Sequence, residues 1–211
     1  MQPRKDHGGA EAARESKEPE RGRIDYKCSG NALIEAIRYD DYEIVKYLIE
    51  NRADVNLVVE SGLYCSALQT AVGGYELYLV QMPIKFDLNR NQLDFLELLI
   101  ENGANVNLPF KTGRCGSALA VAAFKGRWET VETLLNTGAI ASLALNHGDY
   151  ATALDAAIAG KEEAKKKKMI SREYTEETER VETEQVEREY AEVRDLLQRA
   201  IQREERAGLS M

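Results

Sequence analysis

His7, His147, Cys28, Cys65 and Cys115 are the residues of this 211-residue chain best suited to nucleophilic or metal chemistry. A thiolate nucleophile needs a neighbouring base and a third group to orient that base, and a zinc site needs clustered ligands at close spacing. The cysteines form neither a CxxC pair nor an even framework, so reduced, structural thiols are the reading and a disulfide scaffold or zinc site has little support. Cys115 and His147 could meet if their loops are adjacent, but the sequence offers them no orienting group and no pocket. Gly73-Gly74 and Gly160-Lys161 are too isolated to form a phosphate-binding loop. No cofactor and no metal are expected, and the chain is not expected to be an enzyme.

The elements that carry these residues must therefore serve another purpose. The formal net charge of −8 argues against nucleic acid as a partner, because affinity for phosphates comes largely from basic side chains. No apolar run approaches the roughly 18–20 residues that span a bilayer, so no membrane partner is expected. Residues 1–25 contain no apolar core of the signal-peptide kind and mix acidic with basic side chains, which reads as a disordered arm on a cytoplasmic protein. Lys165 to Lys168 leaves nuclear import as the alternative.

Self-similarity is the strongest signal. A short polar residue followed by Ala-Leu recurs as Asn31-Ala32-Leu33, Ser66-Ala67-Leu68, Ser117-Ala118-Leu119 and Thr152-Ala153-Leu154. Each reads as a helix start, since Asn, Ser and Thr side chains accept a bond from an unpaired N–H of the first turn; Gln69 could complete a capping box with Ser66. A second pattern follows in register: Tyr42, Val45, Leu48, Ile49; Leu93, Leu96, Leu99, Ile100; Trp128, Val131, Leu134, Leu135; and Tyr190, Val193, Leu196, Leu197. Apolar residues at i, i+3, i+6 and i+7 share one helical face, so each set marks an amphipathic helix with a stripe to bury. Trp128 is assigned to the core on this ground. Gly103 and Gly138 fall where a helix ends in a left-handed residue.

The segments Leu48 to Asn56 and Leu99 to Asn107, with their Glu-Asn-x-Ala-x-Val-Asn endings, resemble the second-helix end and loop of the ankyrin repeat family. The resemblance covers residues 26–160 well and 186–201 weakly. It implies an all-α fold, a helical solenoid of about four helix pairs with loops projecting from one edge. It also implies a protein-binding module, a scaffold or adaptor gripping its partner by loop tips and the exposed face of each first helix. Carried onto this chain, those positions are Arg38, Tyr39, Leu63, Tyr64, Phe110, Arg114, Phe124, Lys125 and Tyr150, with Tyr64, Phe124 and Tyr150 equally able to wedge between repeats. Phe110, Arg114 and Lys125 are expected on one rim. The partner is an unidentified protein, and the chain itself is expected to be a monomer. A fragment of a larger signalling protein is the alternative. Two departures stand out: the family's Thr-Pro-Leu-His opening is missing, and Arg52 replaces the glycine expected after Asn51.

Spacing is uneven. From the leucine of the first helix to that of the second is 15 residues in copies one and three, 31 in copy two and 42 in copy four. Copy two thus carries an apolar insertion near 73–92, which must pack on the array or meet a partner. Copy four carries a charged stretch, 161–187, without proline or glycine, which reads as a long exposed helix. Residues 188–211 are expected to cap the last repeat.

Overall fold

The computed structural model describes residues 32–59, 64–73, 88–170 and 176–208, with side chains described outside 88–91, 167–170 and 176–182. The expected N-terminal arm, Leu63 and most of the copy-two insertion lie outside the described residues. Eight helices and no strand occur among those described: α1 (Ala32–Arg38), α2 (Tyr42–Glu50), α3 (Ala67–Gly73), α4 (Leu88–Glu101), α5 (Ala118–Phe124), α6 (Trp128–Asn136), α7 (Ala153–Ile170) and α8 (Glu176–Arg206). Odd-numbered helices are the first, even-numbered the second, of four pairs.

The starts form as the side chains dictate. Ser66 Oγ accepts from Gln69 N (3.1 Å), Ser117 Oγ from Ala120 N (3.2 Å) and Thr152 Oγ1 from Asp155 N (3.1 Å). The stops are equally local. Asn51 and Asn102 donate to the carbonyls of Tyr47 and Leu98 (2.8 Å each), and the next residue turns left-handed: Arg52 at φ 66°, Gly103 at 84°, Gly138 at 96°. Only Arg52 carries a Cβ into that conformation, which costs roughly 1 kcal/mol. Arg52→Gly should therefore raise stability by up to about 0.5 kcal/mol after glycine's extra unfolded-state freedom is subtracted. A lowered urea midpoint would contradict this.

Pairs two, three and four are each entered through a hairpin-like loop closed by one backbone bond: Val59 N to Cys65 O, Phe110 N to Gly116 O and Leu145 N to Ala151 O, all 2.8 Å. Consecutive repeats are then stitched by an asparagine ladder. Asn56 takes Asn105 N on its Oδ1 (2.7 Å) and gives its Nδ2 to Gly103 O (2.9 Å). Asn107 repeats the clasp on Ile140 N and Gly138 O (2.9 Å each). Copy three has Ser142 at this position, and the next rung comes from α8: Glu204 accepts Ala141 N (2.7 Å) and Ser142 N (2.9 Å) on its two oxygens.

The apolar stripes close into two clusters. One joins copies one and two around Leu33, Ile37, Val45, Phe95 and Leu99, and the larger joins copies two to four around Leu68, Leu119, Val131, Leu134, Val193 and Leu197. The charged stretch of copy four is divided between α7 and α8. Lys161 and Lys165 both reach Glu187 (2.5 Å each), and these two ammonium groups hold its carboxyl below the ordinary range. Val186 is buried, so this part of α8 packs rather than standing in solvent.

One junction ties α5, α7 and α8. The carbonyl of Phe124, at the C-terminal end of α5 where no intrahelical partner exists, accepts from Tyr190 Oη (2.7 Å). Gly160 of α7 lies against that same carbonyl, so close that a Cβ there would overlap it. Gly126, left-handed at φ 70°, leaves room for the Tyr190 ring, which a Cβ would approach to 2.8 Å.

Candidate functional site

α3 and α5 are built from Ala, Val, Leu, Gln and Thr, and their residues Ala67–Val72 and Ala118–Ala123 are buried. The first-helix face of copies two and three is therefore accessible at the helix ends and the hairpins. There the structure gathers part of the expected set.

Arg114, in the second hairpin, is the hub. Its Nε meets Asp149 (2.9 Å), its Nη1 meets Glu163 of α7 (2.8 Å) and its Nη2 donates to Tyr150 Oη (2.7 Å). The guanidinium lies over the rings of Phe124 (5.0 Å) and Tyr150 (5.7 Å), which stack on each other with centroids 5.5 Å apart. The hairpin is aimed there by backbone: Asp149 N bonds Arg114 O (2.7 Å), and Cys115 pairs with left-handed Gly148. Glu163 first and Asp149 second raise the Arg114 pKa above its ordinary value. Tyr150 is also raised, chiefly by burial, with Arg114 opposing. The guanidinium is nonetheless half-exposed, at 53% of its side-chain surface. Lys125, next to Phe124, turns its Nζ to the Gly73 carbonyl at the end of α3. Arg127 likewise turns to Val72 O and to Gln92 Oε1.

Phe110 is a correction. It was expected on the rim beside Arg114, yet it is 1% exposed and part of the larger core cluster. Its backbone closes the hairpin at the place held by Val59 and Leu145 in the other copies, where those two side chains are half-buried and Phe110 is fully buried. Tyr64 is half-buried, its ring lying against the end of α3, the first helix of its own copy, 3.0 Å from where a Cβ on Gly73 would be. Arg38 and Tyr39 form a separate pair at copy one: Arg38 bonds Glu35 (2.6 Å) and lies over the Tyr39 ring (5.0 Å). Trp128, assigned to the core by its stripe position, is 38% exposed.

Sequence reasoning missed Asp149 and Glu163. Asp149 adjoins Tyr150 in a hairpin already marked for recognition, whereas Glu163 sat in a stretch read as solvated. Cys65 and Cys115 are buried, the former having its N–H bonded to Gln69 Oε1 (2.6 Å). That same Gln69 gives its Nε2 to Thr112 O (2.7 Å), so it links two hairpins. Among the described residues no group of three or more His, Cys, Asp and Glu side chains is placed to hold a metal, and no helix is long and apolar enough to cross a membrane.

The family model of the ankyrin repeat matches residues 31–59. Among solved structures, the chain is similar to the ankyrin repeat domain of Bcl-3, described as a unique member of the IkappaB protein family: 32% identity, 60% of this chain and 46% of that chain covered, TM-score 0.45. This chain thus spans less than half the length of that structure. No curated protein sequence matches. Ankyrin repeats in general mediate protein–protein interaction. The family model matches one repeat, residues 31–59, and copies two to four fold with capped first helices and like hairpin bonds, so the chain contains an ankyrin repeat followed by further helix pairs of the same build.

Proposed function

We propose that the chain is a non-catalytic protein-binding module, with the array of 26–160 as the binding unit and 188–211 as its cap, and that its contact surface is the rim formed by Arg114, Phe124, Lys125 and Tyr150. The observation that carries this reading is the half-exposed Arg114, held by two carboxylates and a phenol over two stacked rings. Exposed ion pairs add only about 0–1 kcal/mol to stability, so so much ordering around one surface cation is poorly matched to a folding role. It is well matched to recognition. Arginine and tyrosine are the commonest anchors, and a side chain already fixed in place loses little further freedom when a partner covers it.

The test is affinity purification with the wild-type chain and an Arg114→Ala, Tyr150→Ala variant, read by quantitative mass spectrometry. Proteins captured by the first should be depleted at least about fivefold on the second, the effect of losing anchors worth more than 1 kcal/mol. Both chains should show the same helical circular dichroism. Equal capture by a folded variant would move the site away from this rim.

A further inference from the structure

The start of α6 carries a second surface with a different chemistry. In copy one, Tyr42 opens the second helix and packs its ring, tilted by 37°, against Phe95 of the next second helix (5.8 Å between centroids). Trp128 holds the Tyr42 position in copy three, and the residue that corresponds to Phe95 in copy four is Glu192 of α8. The aromatic partner is thus replaced by a carboxylate. Trp128 and Glu192 face one hollow of about 420 Å³, with Glu184, Glu189 and Arg188 also along its α8 wall. Trp128 and Glu189 also border a neighbouring hollow of about 420 Å³, at the angle between the α5–α6 turn and the lengthened α7–α8 pair, which adds Glu129 and Glu163. The cations there, Lys125 and Arg127, are turned away to the carbonyls of Gly73 and Val72.

We infer that this groove docks a basic segment of a protein partner, with an arginine or lysine side chain lying on the Trp128 ring and paired with Glu189 and Glu192. A ring face attracts a cation within about 6 Å of its centroid, tryptophan best of all, and a carboxylate beside the ring completes the pair. The molecule already displays the same combination nearby, where Arg114 lies over Phe124 and Tyr150 between Asp149 and Glu163. At Trp128 the ring is partly exposed, Glu192 is exposed and Glu189, which accepts from Gln185 (2.9 Å), is half-buried, and the cation is to come from the partner. This surface adjoins the Arg114 rim, sharing Phe124, Lys125 and Glu163 with it, but the groups assigned to the incoming cation, Trp128, Glu189 and Glu192, lie outside that rim.

Trp128 is the chain's sole tryptophan, so its fluorescence reports the groove directly. The full-length chain is titrated at low ionic strength with a capped peptide of four Arg-Ser repeats and, as control, its Glu-Ser counterpart. The arginine peptide should change the Trp128 emission saturably and the control should not. Glu189→Gln with Glu192→Gln should weaken binding about tenfold, the effect of removing charges that a partner pairs with. A charge-matched variant on the exposed side of α2, Glu43→Gln with Glu50→Gln, should stay within about twofold. Calorimetry of Trp128→Leu should show the same loss without relying on fluorescence. Equal weakening by the two charge variants would mean diffuse attraction to an acidic protein and would overturn the proposal, as would an equal response to both peptides. Emission that changes with protein concentration alone, insensitive to the arginine peptide, would overturn it in favour of a second copy of the chain.

Discussion

Gly160→Ala should destabilise the protein by about 3 kcal/mol or more, at the upper end of what overpacking costs. A single methyl rarely does this inside a helix, where alanine is normally preferred to glycine by about 1 kcal/mol. Here the methyl meets the Phe124 carbonyl, which is backbone and not the end of a flexible side chain, so α5 and α7 must separate to admit it. Separation also pulls Phe124 O from Tyr190 Oη and loosens the aromatic stack under Arg114. Urea unfolding followed by circular dichroism gives the number, and stability gained on substitution would show that the two helices are not so closely apposed.

Phe110→Ala should cost about 3–5 kcal/mol, the range for emptying a fully buried aromatic site. The same experiment separates packing from recognition. An exposed loop phenylalanine would change stability by no more than about 0.5 kcal/mol, while Arg114→Ala, four residues along the same hairpin, should cost about 1 kcal/mol or less. Near-equal midpoints for Phe110→Ala and wild type would return Phe110 to the rim.

The repeats were legible because their signature residues each answer a backbone need. Ser66, Ser117 and Thr152 cap helices, Asn51 and Asn102 close them, and Gly103 and Gly138 take the left-handed turn. These needs recur with each copy, so they recur in the sequence. The site was half legible. Arg114, Phe124 and Tyr150 do come together, since consecutive hairpins must lie side by side. Phe110 misled because residue type alone does not tell an inward hairpin position from an outward one; it is fully buried where the equivalent Val59 and Leu145 are only half-buried. Trp128 misled for the opposite reason. Its stripe position was right, but burial depends on the opposing helix, and Glu192 occupies the place of Phe95. Asp149 and Glu163 were hidden because a carboxylate on a charged surface acquires meaning only when folding brings a guanidinium to it.

The rung supplied by Glu204 has a kinetic meaning. A linear stack of repeats can ordinarily peel from its last member, because each unit holds only its neighbour. Here the loop of copy three is held from residues 62–63 positions away along the chain, near the far end of α8. That loop stays clasped until α8 lifts, and once α8 lifts Ala141 and Ser142 lose their hydrogen bonds together. Detaching α8 thus costs copy three both of these bonds at once, while Asn107 still holds Ile140 N and Gly138 O, so fraying at this edge carries an added penalty.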